Sequence, residues 1–213
     1  MIYFDIHTHH LPSCNPEQAI VSFSIPYEKV DEHAKHISVG IHPWYLTETH
    51  ADTSLQYLRS ILTDERVVAI GEAGLDRLRG CPLSTQTDVF RHEIALSEEY
   101  QLPMIIHCVR AFNELIQLKK EIHPLQPWII HGFRGKRIIA EELLRHGCYL
   151  SLGARFQEEA ARNIPLERLF IETDESEEPI LKTYHRIADI RGISPEELTE
   201  AINKNVHEVF FKR

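Results

Sequence analysis

Eight short apolar, β-prone runs restrict the fold of this chain more than any other feature, with longer amphipathic stretches between the later ones. They cover residues 2–6, 20–25, 37–41, 67–71, 103–107, 128–131, 148–152 and 169–173. Most are hydrophobic almost without interruption. A strand with one wet face alternates apolar and polar residues, whereas continuous apolar runs belong to parallel strands covered on both sides. Between the later runs the period becomes helical. Val89, Phe90, Ile94 and Leu96 mark one stripe, and Phe112, Leu115 and Ile116 a second. Ile138, Ile139, Leu143 and Leu144 mark a third, with Gly147 placed to cap it. Ser194-Pro195-Glu196-Glu197 opens a C-terminal helix, with a capping serine, proline at the first helical position and acids in the first turn.

Strands alternating with helices predict an α/β fold, an irregular TIM-like (β/α)8 barrel, with a doubly wound sheet as the alternative. At 213 residues the chain is short for the barrel, whose usual length is about 250. The saving falls early. Only residues 8–19 separate the first two runs and 26–36 the next two, close to the minimum of about a dozen for a parallel crossover. The first β/α units are therefore expected to be shortened, the first lacking a proper helix. No repeat, low-complexity tract or linker divides the sequence, so residues 1–213 read as one domain.

The formal charge of −9 removes the usual long-range attraction for nucleic acid or anionic membrane. It leaves room for a phosphate substrate, because a bound metal supplies local positive charge. No apolar run reaches the roughly 18–20 residues that span a bilayer. Met1-Ile2-Tyr3-Phe4-Asp5 lacks the pattern of a secretory signal. The expectation is a cytoplasmic protein away from membranes, and nothing in the sequence points to an obligate protein partner. Cys14, Cys81, Cys108 and Cys148 form no C-x-x-C pair and are expected to be reduced thiols.

Histidine is unusually abundant, at 14 residues. The first strand ends Asp5-Ile6-His7-Thr8-His9, and in extended chain His7 and His9 point the same way, so both can reach one ion. The fourth run leads into Ile70-Gly71-Glu72, the fifth into Ile105-Ile106-His107, the sixth into Ile129-Ile130-His131 and the eighth into Ile171-Glu172-Thr173-Asp174. One strand-end histidine has an ordinary structural explanation; five strand ends restricted to His, Asp and Glu do not. In a closed barrel they converge on one face, where barrel active sites lie. Imidazoles mixed with carboxylates suit one or two divalent ions, zinc, manganese or magnesium, and a carboxylate can bridge a pair.

These stretches, with Gly40-Ile41-His42-Pro43-Trp44, Gly71-Glu72-Ala73-Gly74-Leu75-Asp76, Leu102-Pro103-Met104-Ile105-Ile106-His107, Ile130-His131-Gly132-Phe133 and Asn203-Lys204-Asn205-Val206, resemble the TatD-like metal-dependent hydrolases, in family order and over nearly the whole chain. The resemblance implies that His7 and His9 bind a first metal beside Asp174. It implies that Glu72 bridges and that His107 and His131 bind a second. It also implies metal-dependent hydrolysis of phosphodiester bonds in DNA. Asp174 is the candidate general base, since a carboxylate suffices once a metal makes the water acidic. The alternatives are hydrolysis of a small ester, lactone, amide or phosphomonoester, or a metal-binding relative without catalysis. His42 is expected to touch substrate or a metal ligand. The family's arginine after the fifth strand arrives one place late, as Arg110, and Arg134 stands where serine is common; both are candidate substrate contacts. Glu175, Glu177 and Glu178 follow Asp174 where the family is usually small, proline-bearing and then basic.

Overall fold

The computed structural model describes residues 2–12 and 14–212. Eight parallel strands pair in chain order: β1 (Asp5–Thr8), β2 (Ala19–Ser24), β3 (His36–Gly40), β4 (Val67–Asp76), β5 (Met104–Val109), β6 (Trp128–Ile130), β7 (Tyr149–Leu152) and β8 (Leu169–Ile171). The barrel closes just past β8. Asp174 donates its amide to the His7 carbonyl at 2.9 Å, and His9 returns the bond to the Asp174 carbonyl at 3.2 Å. Helix α1 (Ala51–Ile61) follows β3, α2 (Leu83–Tyr100) β4, α3 (Phe112–Ile122) β5, α4 (Arg137–Arg145) β6 and α5 (Glu158–Asn163) β7. Two helices, α6 (Ile180–Arg191) and α7 (Pro195–Val206), follow β8.

The shortening lies where the spacing placed it. A single 3-10 turn, Pro16–Gln18, lies between β1 and β2, and among the described residues no helix joins β2 to β3. Sequence reasoning passed over α1, because its apolar stripe is thin: of its residues only Ser54 and Leu58 are buried. It also ended the fourth strand at residue 71, whereas β4 runs on to Asp76, which pairs with Val109 of β5. Gly74 permits this: a β-carbon there would collide with the His107 carbonyl.

The helix ends follow their local chemistry. In α4 the Cys148 amide bonds the Leu143 carbonyl at 3.1 Å and the Gly147 amide the Leu144 carbonyl at 2.9 Å. This is a Schellman cap, with Gly147 at φ 75°. At α7 the Ser194 hydroxyl accepts the Glu197 amide at 3.1 Å. Ile20, Ile37, Ile70, Ile106, Leu150 and Phe170 are fully buried on their strands, each worth about 1.5–3 kcal/mol of apolar burial. Tyr184 of α6 donates its hydroxyl to the Phe4 carbonyl at 2.9 Å, tying the outer layer to the start of β1. Parallel strands deliver their C-terminal ends to one rim, and that geometry assembles the site.

Candidate metal centre

Glu72, buried in β4, is the hub of that rim. Its two oxygens face different partners. Oε2 lies 3.5 Å from Nε2 of both His7 and His9. Oε1 lies 2.6 Å from His107 Nδ1, 2.7 Å from His131 Nε2 and 2.9 Å from His42 Nε2. Asp174 approaches the first set, with Oδ1 3.6 Å from His7 Nε2 and 3.8 Å from His9 Nε2. It sits at φ 59°, a left-handed conformation that aspartate tolerates better than most residues.

A second layer of carboxylates holds the imidazoles. Asp76 Oδ2 lies 3.1 Å from His107 Nε2, which leaves His107 Nδ1 to face Glu72. Glu172 Oε1 lies 3.4 Å from His131 Nδ1 and accepts the Gly132 amide at 2.5 Å. Asp5 accepts the His7 and Thr173 amides at 3.2 and 3.1 Å and the Thr173 hydroxyl at 2.6 Å. It thereby locks the end of β1 to the segment carrying Asp174. His42 is held differently. The Trp44 amide donates to its Nδ1 at 3.1 Å, so the neutral ring carries its proton on Nε2 and donates to Glu72. In that tautomer His42 supports Glu72.

The charges are strongly coupled. Burial pushes the Glu72 carboxyl up, but the charge of His131 and hydrogen bonds from His107, His131 and His42 outweigh it and hold the group well below the usual carboxylate range. Burial and the neighbouring His131 disfavour a charged His7, yet Asp174 and Glu72 raise it to about 9. His131 is likewise raised, as Glu72 and Glu172 overcome burial. Asp174 is brought down to about 2, His7 overcoming the effect of burial. Asp5 is pushed up to about 7 by burial, offset only in part by its hydrogen bonds. The cluster demands positive charge, which protons on His7 and His131 supply and for which a divalent ion would compete.

The donor set fits such an ion. His7 is fully buried, and neither ring nitrogen has a hydrogen-bond partner among the described residues. Two ligands about 2.1 Å from a tetrahedral ion stand roughly 3.4 Å apart, close to the spacing around His7, His9, Glu72 Oε2 and Asp174. On the Oε1 side the spacings of 2.6 and 2.7 Å are those of hydrogen bonds, so an ion there requires His107 and His131 to draw back. The ligand atoms of His7, His9 and Glu72 lie within 4.8 Å of one another, as do those of His7, His131 and Asp174 and those of His42, Glu72 and His107.

The family model described as TatD related DNase matches residues 27–211. The chain belongs to the TatD-related DNase family. An uncharacterized metal-dependent hydrolase of Bacillus subtilis (strain 168), YabD, is 31% identical over 197 residues, covering 82% of this chain and 77% of YabD. The 3'-5' ssDNA/RNA exonuclease TatD of Citrobacter rodentium (strain ICC168) is 28% identical over 218 residues, covering 86% of this chain and 80% of that protein. The crystal structure of YjjV, a TatD homologue from Escherichia coli K12, superposes with a TM-score of 0.82 at 22% identity, covering 99% of each chain. This TatD-family chain is a metal-dependent hydrolase on a TIM-type barrel.

Of the residues singled out in the sequence, the TatD-type rim gathers His7, His9, Glu72, His107, His131 and Asp174, and His42 beside them. Arg134 lies on the wall of a cleft of about 240 Å³ that reaches Asp174 and Glu175. Arg110 is exposed at φ 55° beyond β5, where Arg77 bonds its backbone carbonyl at 3.1 Å. Glu175 lines the cleft, while Glu177 and Glu178 are exposed and Glu178 pairs with Lys182 at 3.3 Å. Asp76, which lies beyond the fourth apolar run, is the last residue of β4, buried against His107. Asp5 and Glu172 were given no role, and Arg155, a further cleft residue, was missed. Period-two spacing was the available signal, since Asp76 follows Glu72 by four residues and Glu172 precedes Asp174 by two.

Proposed function

We propose that this protein hydrolyses phosphodiester bonds in nucleic acid with one or two divalent ions held by His7, His9, Glu72, His107, His131 and Asp174. The observation that carries this reading is the divided carboxylate of Glu72, one oxygen toward His7 and His9 and the other toward His107 and His131. His7, His9 and Asp174 would hold a first ion with Oε2; His107 and His131 would hold a second with Oε1. Mixed imidazole and carboxylate donors suit zinc or manganese better than magnesium, which prefers oxygen. When bound, such ions supply positive charge against phosphoryl oxygens and a water acidic enough to ionise near neutrality.

The chain's own groups do the rest. Asp174, at the mouth of the cleft, orients the attacking water and accepts its proton. Asp76 fixes the ring orientation of His107, Glu172 sets a negative charge 3.4 Å from His131 Nδ1, and His42 restrains Glu72 by its Nε2–H bond. Arg134 and Arg155, on the cleft wall, offer guanidinium groups to the non-bridging oxygens of a phosphate. The relative named as an ssDNA/RNA exonuclease supports nucleic acid as the substrate class. The protein acts as one domain in the cytoplasm, a reducing setting that suits its four free thiols.

The test is metal analysis of purified protein, followed by assays on single-stranded DNA, RNA and a small carboxylic ester, with and without chelator. Chelator-sensitive cleavage of nucleic acid is expected. Cleavage of the ester alone, or bound metal with no turnover on any substrate, would overturn the proposal.

A further inference from the structure

Three large aromatic side chains stand exposed beside the metal centre, on the rim that carries it. Trp44 is 37% exposed, Tyr45 45% and Tyr27 53%. They come from the loops after β3 and β2 and form a chain of rings. The His107 and His42 centroids are 4.6 Å apart, His42 and Tyr45 5.5 Å, and Tyr45 and Tyr27 5.5 Å. Trp44 branches from the same point, 4.8 Å from His42 and 5.4 Å from His107. We infer that Tyr45 and Tyr27, with Trp44 at the inner end, form a stacking track for unpaired nucleobases next to the scissile phosphodiester. The inference rests on the phosphodiesterase reading and adds to it the group by which the substrate is recognised.

The inner rings are held before any substrate arrives. Trp44 donates Nε1–H to Asp76 Oδ2 at 2.5 Å, and the Arg79 guanidinium lies 4.3 Å over its ring. The Tyr45 amide bonds the His42 carbonyl at 3.1 Å, which fixes the backbone from which its ring projects. Fixed rings lose little freedom on stacking, which favours binding. Charge points the same way. A chain at −9, with Glu175 in its cleft, cannot hold a polyanion by long-range attraction. Stacking is an uncharged contact that every base can make. Bases within a duplex are already stacked on one another, so the track engages unpaired ones.

The test compares a single-stranded oligodeoxynucleotide with an abasic strand of equal length, using the zinc-loaded protein. Tryptophan fluorescence on rapid mixing reports binding, because Trp128 is fully buried and Trp44 is not. The base-bearing strand is expected to quench Trp44 where the abasic strand does not, and Trp44→Phe to abolish the quench. Tyr45→Ala should raise KM for the base-bearing strand by about ten-fold, collapsing its advantage over the abasic strand, with Tyr45→Phe restoring it; Tyr27→Ala should act in the same direction. Cleavage with equal KM for both strands would overturn the track and leave the phosphodiesterase reading standing. Base-dependent quenching without cleavage would sustain the track and overturn the hydrolysis. Binding of neither strand would overturn both.

Discussion

In Asp76→Asn one carboxylate oxygen becomes an amide NH2, and the four partners of Asp76 decide the cost. Oδ1 accepts the Leu78 and Arg79 amides at 2.7 and 3.1 Å; Oδ2 accepts Trp44 Nε1–H at 2.5 Å and faces His107 Nε2 at 3.1 Å. If the new amide keeps its oxygen on the backbone, its NH2 confronts two N–H donors. His107 then escapes only by moving its proton to Nδ1, the atom that faces Glu72 and would hold the ion. The flipped amide sets its NH2 against the Leu78 and Arg79 amides, which lose their acceptor on exposed chain where water can replace it. There the amide oxygen still accepts from His107 Nε2, but an uncharged acceptor supports the ring less than a carboxylate, so His107 is the poorer ligand in either arrangement. Loss of such a supporting partner lowers metal affinity about 10–100-fold, or about 1.4–2.7 kcal/mol. Competition for zinc against a chromogenic chelator measures this directly, with circular dichroism to verify the fold. Affinity within two-fold of the parent would refute the claim that Asp76 sets the His107 tautomer.

Three further outcomes are expected. Asp174→Asn should reduce turnover far more than metal content, measured by parallel kinetics and metal analysis; equal losses would make Asp174 only a ligand. Returning zinc to chelator-treated protein at about 100 times Kd should add about 2.7 kcal/mol, seen as a rise in Tm of roughly 5–11 °C, and an unchanged Tm would contradict a preformed site. Glu93 of α2 is buried with its oxygen accepting the Ile41 amide at 2.8 Å, and burial raises its pKa well above the usual range, the hydrogen bond offsetting this only in part. The folded state therefore holds a proton that the unfolded chain releases. Stability falls by about 1.4 kcal/mol per pH unit from the ordinary carboxylate pKa up to the folded one. Glu93→Gln keeps the acceptor and removes that slope, so its advantage in urea unfolding should grow between pH 5 and 8; parallel curves would count against this reading.

Strand number, strand direction and the six central side chains were legible because each rests on short-range pattern. Continuous apolar runs mark doubly covered strands, and polar residues at their ends must emerge on the shared rim. The missing first helix and the shortening of the early units followed from spacing alone. Helix α1 was not legible, since a thin stripe built on Leu58 looks like a loop until β3 and α2 pack beside it. The position of Asp76 was not legible because the apolar run stops at Gly71, while β4 continues by pairing with β5, a partner far along the chain.

Local sequence thus determined which groups reach the rim, through the period-two alternation that sets Asp5, His7 and His9 on one side of a strand. Barrel closure and register decided which groups meet. They put Glu72 Oε2 against His7 and Oε1 against His107, leaned Asp76 on the far side of that ring, and drew Tyr45 and Tyr27 together from separate loops. Distances between strands depend on how the whole sheet curls and staggers, a property of the closed structure that no single segment carries.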